Sequence, residues 1–169
     1  MPVQSDLAAV RQMTAEFADY LRSEVVFWPL GGSRDFPKLS LGSYWLARTR
    51  LSVTPTPELT AWNAQVDAVL AQWPAAAERK AQAEFPTRAR LWTTYLAEGH
   101  GRYATEAAQR AMAALLLARF PALADSPEAR HLAEAEAALR AQPAGPFVWE
   151  AELAPAFPAA EFWFLYRAH

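Results

Sequence analysis

A continuous run of apolar residues, AMAALLLA at 111–118, constrains the fold of this chain more than any other feature. A helix that is apolar on every face has no side to turn to water, so its neighbours must bury it. Crossing a bilayer takes about 20 consecutive apolar residues, and this shorter run is bounded by Arg110 and Arg119. We therefore predict that 103–120 forms the central helix of a soluble helical protein.

The composition agrees with one domain of ordinary size. Of 169 residues, 53% are hydrophobic and 20% are charged, which is enough to bury a core without disulfides or metals. The net charge of −2 gives no field that would recruit nucleic acid or an anionic membrane. The absence of cysteine excludes disulfides and thiolate chemistry, and the first residues lack the pattern of a signal peptide. We expect a cytoplasmic protein that does not associate with membranes.

Start and stop signals divide the chain into helices. Thr56-Pro57-Glu58 combines a capping side chain, a proline at the first helical position and an acid in the first turn, and Ser126-Pro127-Glu128 repeats this pattern. Ser5 and Ser40 are further candidate caps, and Gly99 is suited to end a helix. The predicted helices cover about 5–27, 41–51, 57–98, 103–120 and 127–141.

Two prolines interrupt the longest predicted helical stretch, the arm at 57–98. Pro74 and Pro86 can each stand in the first turn of a new helix or at a kink, so the arm is one kinked helix or several. The piece between them, PAAAERKAQAEF at 74–85, mixes alanine with charges and is predicted to be solvated. The tight turn at 99–101 then predicts an antiparallel pair of helices, 86–98 and 103–120.

The tail at 143–169 differs in character from the helical body at 1–142. FVWEAEL at 147–153 alternates like a strand and EFWFLYR at 161–167 is almost wholly aromatic, so the two could form a β-hairpin. A start signal near Pro158 favours a short helix instead, because a lone hairpin needs packing support. Either form should pack on the body, since exposed aromatic surface would aggregate. The sequence thus predicts a single all-α domain over 1–169, a bundle of five or six helices with a proline-interrupted arm and an aromatic tail.

Few residues are arranged for metal, phosphate or covalent chemistry. Glu128 and His131 have the Glu-x-x-His spacing of di-iron bundles, but such sites need two pairs and further glutamates, so an exposed helix pair is the better interpretation. The glycines of Gly31-Gly32-Ser33-Arg34 fit neither the P-loop nor the dinucleotide-binding pattern, which favours an ordinary turn. We expect no catalytic set, no metal and no cofactor, and keep Glu128 and His131 only as weak metal candidates.

Arginines close to Trp92, above all Arg88, make the best case for an anion or nucleic-acid surface, because aromatic rings can stack on bases while guanidinium groups hold phosphate. The net negative charge argues against nucleic acid. Trp92 also belongs to the apolar stripe of the same helix, which predicts that it lies in the core. Nucleic acid is therefore not an expected partner.

Seven tryptophans are spread over nearly every predicted element. Most belong to a core at helical spacing, but tryptophan is also enriched among interface anchors, and those of the tail are best placed to face a partner or ligand. The candidate surface consists of Trp149, Trp163, Tyr166, Trp92 and Arg88. We predict a non-enzymatic interaction or scaffolding protein that binds a protein partner or self-associates. The alternative is a binder of a small apolar or aromatic ligand in a tryptophan-lined pocket, and a metal-dependent bundle enzyme is a third hypothesis.

Overall fold

The computed structural model describes residues 2–31 and 37–167. The all-α class is confirmed, and short 3-10 helices lie at Pro121–Asp125, Ala151–Ala156 and Trp163–Tyr166. The α-helices are α1 (Pro2–Arg22), α2 (Leu41–Leu51), α3 (Pro57–Gln72), α4 (Pro74–Glu98), α5 (Tyr103–Arg119), α6 (Pro127–Ala135) and α7 (Ala137–Arg140). Most of the predicted turn at 31–34 lies outside the described residues, as does His169. No helix within the two described ranges combines the length and the apolar character needed to cross a membrane.

Two compact units follow from the distribution of contacts along the chain. The N-terminal unit is Met1–Glu84 and the C-terminal unit is Phe85–His169, so that the boundary falls inside α4. The expectation of a single domain over 1–169 stays a prediction.

Three of the predicted helix starts are confirmed by side-chain caps. Thr56 Oγ1 accepts the backbone N–H of Leu59 at 3.1 Å, and Ser126 Oγ accepts that of Ala129 at 3.2 Å. Ser40 Oγ likewise accepts the N–H three positions further on, at 3.1 Å, which opens α2. Each cap pairs a backbone donor that the first helical turn leaves without an intrahelical acceptor.

The first helix differs from its predicted bounds at both ends. α1 starts at Pro2, a residue suited to a first helical position, so Ser5 lies within the helix and is not its cap. At the other end, the hydroxyl and the N–H of Ser23 both donate to Tyr20 O, at 2.7 and 3.0 Å. This tight last turn ends α1 at Arg22, and the predicted extension to residue 27 is wrong.

Aromatic side chains join α1, α2 and α3 in the N-terminal unit. Phe17 and Tyr44 are both wholly buried, with ring centroids 5.4 Å apart in an edge-to-face arrangement. Tyr44 then donates its hydroxyl to Asn63 Oδ1 at 2.9 Å. An aromatic pair of this kind adds to the stability that apolar burial provides.

The proline-interrupted arm consists of two helices. Trp73 has φ −126° and ψ 57°, which ends α3, and Pro74 opens α4 at a position where its missing N–H costs no intrahelical bond. α4 continues through Pro86 to Glu98. Gly99 then has φ +71°, the left-handed conformation predicted for the stop.

The piece between the two prolines was predicted to be solvated, and this prediction is wrong for one of its faces. One of its faces is buried, and apart from Phe85 this face consists of alanines and charged residues at helical spacing, so it carries little apolar signal. The buried residues are Ala77, Lys80, Ala81, Glu84 and Phe85. Glu84 accepts the Ser40 hydroxyl at 2.7 Å and the Gly42 N–H at 3.1 Å, and this carboxylate stabilises the N-terminus of α2.

Most of the apolar run in α5 is buried, as predicted, and only Ala118 at its end is exposed. Ala111, Ala113 and Leu116 have no exposed surface, Met112 and Leu115 are buried, and Leu117 is half-buried. The predicted antiparallel pairing with the second half of α4 is also confirmed. Arg88 lies beside Gln109, with a hydrogen bond of 2.9 Å, while the rings of Tyr95 and Tyr103 are 6.1 Å apart.

The tail contains the short helix that the sequence favours, as a 3-10 helix at Trp163–Tyr166, and it does not form the alternative β-hairpin. Its two arms share two backbone hydrogen bonds, from Gly145 to Tyr166 O at 2.7 Å and from Val148 to Leu165 O at 2.9 Å. Pro146 supplies no N–H between these bonds, and further prolines at 155 and 158 prevent a longer ladder. The aromatic arms therefore consist of extended backbone and short 3-10 helices.

The tail packs on the helical body, as predicted, and hydrogen bonds join it to α5. Tyr103 donates its hydroxyl to Phe164 O at 2.6 Å, and the indole N–H of Trp149 donates to Ala104 O at 2.8 Å. Phe164 and Leu165 are wholly buried. The aromatic residues thus complete the core of the C-terminal unit.

Candidate binding surfaces

The five residues of the predicted interaction surface do not form one exposed surface. Trp92 is wholly buried, Trp163 is 7% exposed and Arg88 is 9% exposed. Trp149 and Tyr166 are half-buried, and Tyr166 donates its hydroxyl to the tail itself, at Phe157 O. The indole N–H groups of Trp92 and Trp149 already have acceptors inside the fold, which assigns most of this set to the core.

A buried ion pair lies beside Trp92. Glu136 is 1% exposed, accepts the Trp92 indole N–H at 2.8 Å and pairs with Arg110. The guanidinium of Arg110 also lies 4.7 Å from the ring of Phe164. Glu136 interrupts the predicted helix at 127–141, because α6 ends before it and α7 begins after it. Nothing in the local sequence distinguishes it from the exposed glutamate two positions earlier.

Tyr103 has an unusual acid–base environment. Burial of the phenol raises the pKa of Tyr103 above its usual 10.0, and the neighbouring Tyr95 raises it further. Since its hydroxyl donates to Phe164 O, ionisation would also remove one of the hydrogen bonds between the tail and α5. Tyr103 is therefore protonated throughout the physiological range.

Glu128 and His131 line an open groove between α4 and α6, opposite Pro86, Ala89 and Thr93. The groove has a volume of about 400 Å³. Among the residues that the structure describes, no group of three or more His, Cys, Asp or Glu is placed to hold a metal ion.

A second groove, here called the Trp73 groove, lies in the N-terminal unit with a volume of about 360 Å³. It is formed by the end of α1, the segment at 23–26 and the first half of α4. The indole of Trp73 lines it and is 41% exposed, beside the apolar side chains of Leu21, Val26 and Ala76. Trp73 is one of the tryptophans whose helical spacing predicts a core position, but it lies where α3 ends and the helical period stops.

Lys80 holds the segment that borders the Trp73 groove. Its ammonium donates to Ser23 O at 2.7 Å and to Val25 O at 2.5 Å, and it lies 4.6 Å from the ring centroid of Tyr20. Burial lowers the pKa of Lys80, which the nearby charge of Glu24 partly opposes. The ammonium group thus donates hydrogen bonds to carbonyls just after the C-terminus of α1, where positive charge is favoured.

Comparison of the chain with protein-family models, with curated proteins and with solved structures found no match. What the chain does has to be inferred from its own contacts, burial and charge.

Proposed function

We propose that the protein is a non-enzymatic interaction protein that binds a segment of a protein partner in the Trp73 groove. The observation that carries this proposal is the exposed indole of Trp73 at an open, partly apolar groove. Tryptophan contributes much of the binding energy in many interfaces when it becomes buried against a partner. Val25, a second exposed large apolar residue, belongs to the segment that borders the groove.

The charges around the groove favour an acidic partner segment. Arg22 and Arg79 are exposed cations in its lining, whereas Glu24 is the acid among the lining residues. This local excess of positive charge is opposite in sign to the net charge of the whole chain, −2. Complementary charge steers association and selects among partners. The expected occupant is a peptide segment with one aromatic or aliphatic anchor flanked by aspartate or glutamate.

Fluorescein-labelled peptides test this proposal. Each peptide has one apolar anchor residue, which is flanked by acidic, basic or uncharged residues. Binding is followed by fluorescence anisotropy. We expect the acidic peptides to bind most tightly and Trp73→Ala to weaken them about tenfold or more, as for an interface anchor. Arg79→Glu should shift the preference towards basic flanks. Leu91→Ala is the matched control, because Leu91 is exposed to a similar extent, 42% against 41%, and lies in the C-terminal unit.

Two outcomes would overturn this form of the proposal. The first is a panel that does not bind, or that binds Trp73→Ala as tightly as the unchanged chain. The second is a dimer, seen by light scattering, that Trp73→Ala dissociates, because the occupant would then be a second copy of the chain.

A further inference from the structure

A third groove, here called the Arg140 groove, lies between α5 and the pair α6–α7 in the C-terminal unit. Its volume is about 230 Å³, and it is lined by Leu117, Leu132 and three alanines together with three charged residues. The charged residues are Arg110, Glu136 and Arg140. We propose that this groove binds a small organic carboxylate with an apolar body, through the guanidinium of Arg140.

The charge in the groove is not balanced. Arg110 and Glu136 neutralise each other as a buried ion pair, whose side chains are 10% and 2% exposed. Arg140 then contributes an unpaired positive charge, and its guanidinium donates to no protein acceptor within residues 2–31 and 37–167. A ligand that brings one negative charge would therefore complete the charge balance of the lining.

Arg140 is also held in place for such a ligand. Its guanidinium carbon lies 4.2 Å from the ring centroid of Trp163, which is 7% exposed. The guanidinium of Arg167 lies 5.2 Å from the same ring and donates to Arg140 O at 3.5 Å. Stacking on an aromatic ring restricts a guanidinium while its N–H groups stay available at the edge. Less conformational entropy is then lost when a carboxylate binds.

The groups that line the groove determine the chemical class of the ligand. A carboxylate accepts two parallel hydrogen bonds from a guanidinium, a geometry that an amine or an alcohol cannot reproduce. Leu117, Leu132 and the alanines offer the other part of the ligand an apolar contact. The small volume suits a single ring or a short chain, as in benzoate or hexanoate.

Three ligands with the same ring test the proposal: benzoate, benzyl alcohol and benzylamine, each titrated by calorimetry. We expect benzoate alone to bind, more weakly as salt is raised. Arg140→Gln should weaken benzoate about tenfold or more, the loss of a charge-assisted hydrogen bond. Arg130→Gln is the matched control, because Arg130 is exposed on α6, donates to Asp125 O and does not line the groove.

A second variant blocks the groove without changing its charge. Ala133 is exposed and lines the groove, so Ala133→Phe should fill the space, abolish benzoate binding and leave the unfolding midpoint nearly unchanged. The proposal is overturned if benzoate does not bind the unchanged chain, if both variants bind it as before, or if benzyl alcohol or benzylamine binds as tightly. Trp73→Ala should leave benzoate binding intact, which separates this site from the Trp73 groove.

Discussion

The indole N–H of Trp92 donates a 2.8 Å hydrogen bond to Glu136, a residue 44 positions further along the chain. Glu136 also pairs with Arg110, so one carboxylate joins α4, α5 and the junction between α6 and α7. All three side chains are buried. Such a carboxylate is costly to bury, and its removal is costlier still because a buried cation remains behind.

Glu136→Ala should lower the free energy of unfolding by about 3–5 kcal/mol, the effect of breaking a buried ion pair on one side. Urea unfolding followed by circular dichroism measures the difference. Glu134→Ala is the control, because Glu134 is exposed on α6 and its loss should stay within about 0.5 kcal/mol. Equal effects of the two substitutions would contradict the role assigned to Glu136.

The core of the C-terminal unit depends on the apolar run in α5. Leu116 has no exposed surface, so Leu116→Ala should cost about 2–5 kcal/mol through lost burial and the cavity left behind. Leu91→Ala, at a leucine that is 42% exposed, should cost far less. The same urea titrations compare the two variants, and a similar loss from both would mean that α5 is not a buried core helix.

The stability of the chain should fall at alkaline pH because of Tyr103. Its pKa is raised in the folded chain, so above pH 10.0 the unfolded chain loses this proton first and unfolding becomes more favourable. The stability linked to the raised pKa of Tyr103 is fully present below pH 10.0 and is lost as the pH rises above this value. Tyr103→Phe should be less stable at neutral pH because it lacks the hydrogen bond to Phe164 O, and its deficit should shrink towards about pH 11 as the phenol of the unfolded unchanged chain ionises. Parallel stability curves would contradict this assignment.

The cap of α3 gives a test in the N-terminal unit. Thr56→Ala removes the acceptor of the Leu59 N–H and should cost about 1 kcal/mol, whereas Thr56→Ser keeps the hydroxyl and should cost little. Thermal unfolding of both variants measures the difference. A Thr56→Ser variant as unstable as Thr56→Ala would show that the hydroxyl does not cap the helix.

The starts of α2, α3 and α6 could be predicted from the sequence because their signals are local. Thr56 and Ser126 each lie next to the proline and the acid that they act with, and the donors that they cap lie three residues on. The burial of α5 was equally predictable, because an apolar run needs no knowledge of its neighbours. Packing of the tail followed from its aromatic content, although its 3-10 form did not.

The polar residues inside the fold could not be predicted, because their partners are distant or carry no side-chain signal. Glu136 pairs with Trp92 and Arg110, which only the fold brings near. Lys80 donates to backbone carbonyls, which are the same for any sequence. The periodicity also predicted a core position for Trp73, because the apolar pattern does not show that α3 ends at this residue.

The buried amine of Lys80 gives the chain a chemical probe of its own. Lys80 is 5% exposed and Lys38, the other lysine of the chain, is exposed. An acylating reagent will modify Lys38 at once but can reach Lys80 only after its bonds to Ser23 and Val25 break. The ratio of the two acylation rates, read by mass spectrometry, will therefore report how often the end of α1 opens while the rest of the chain stays folded.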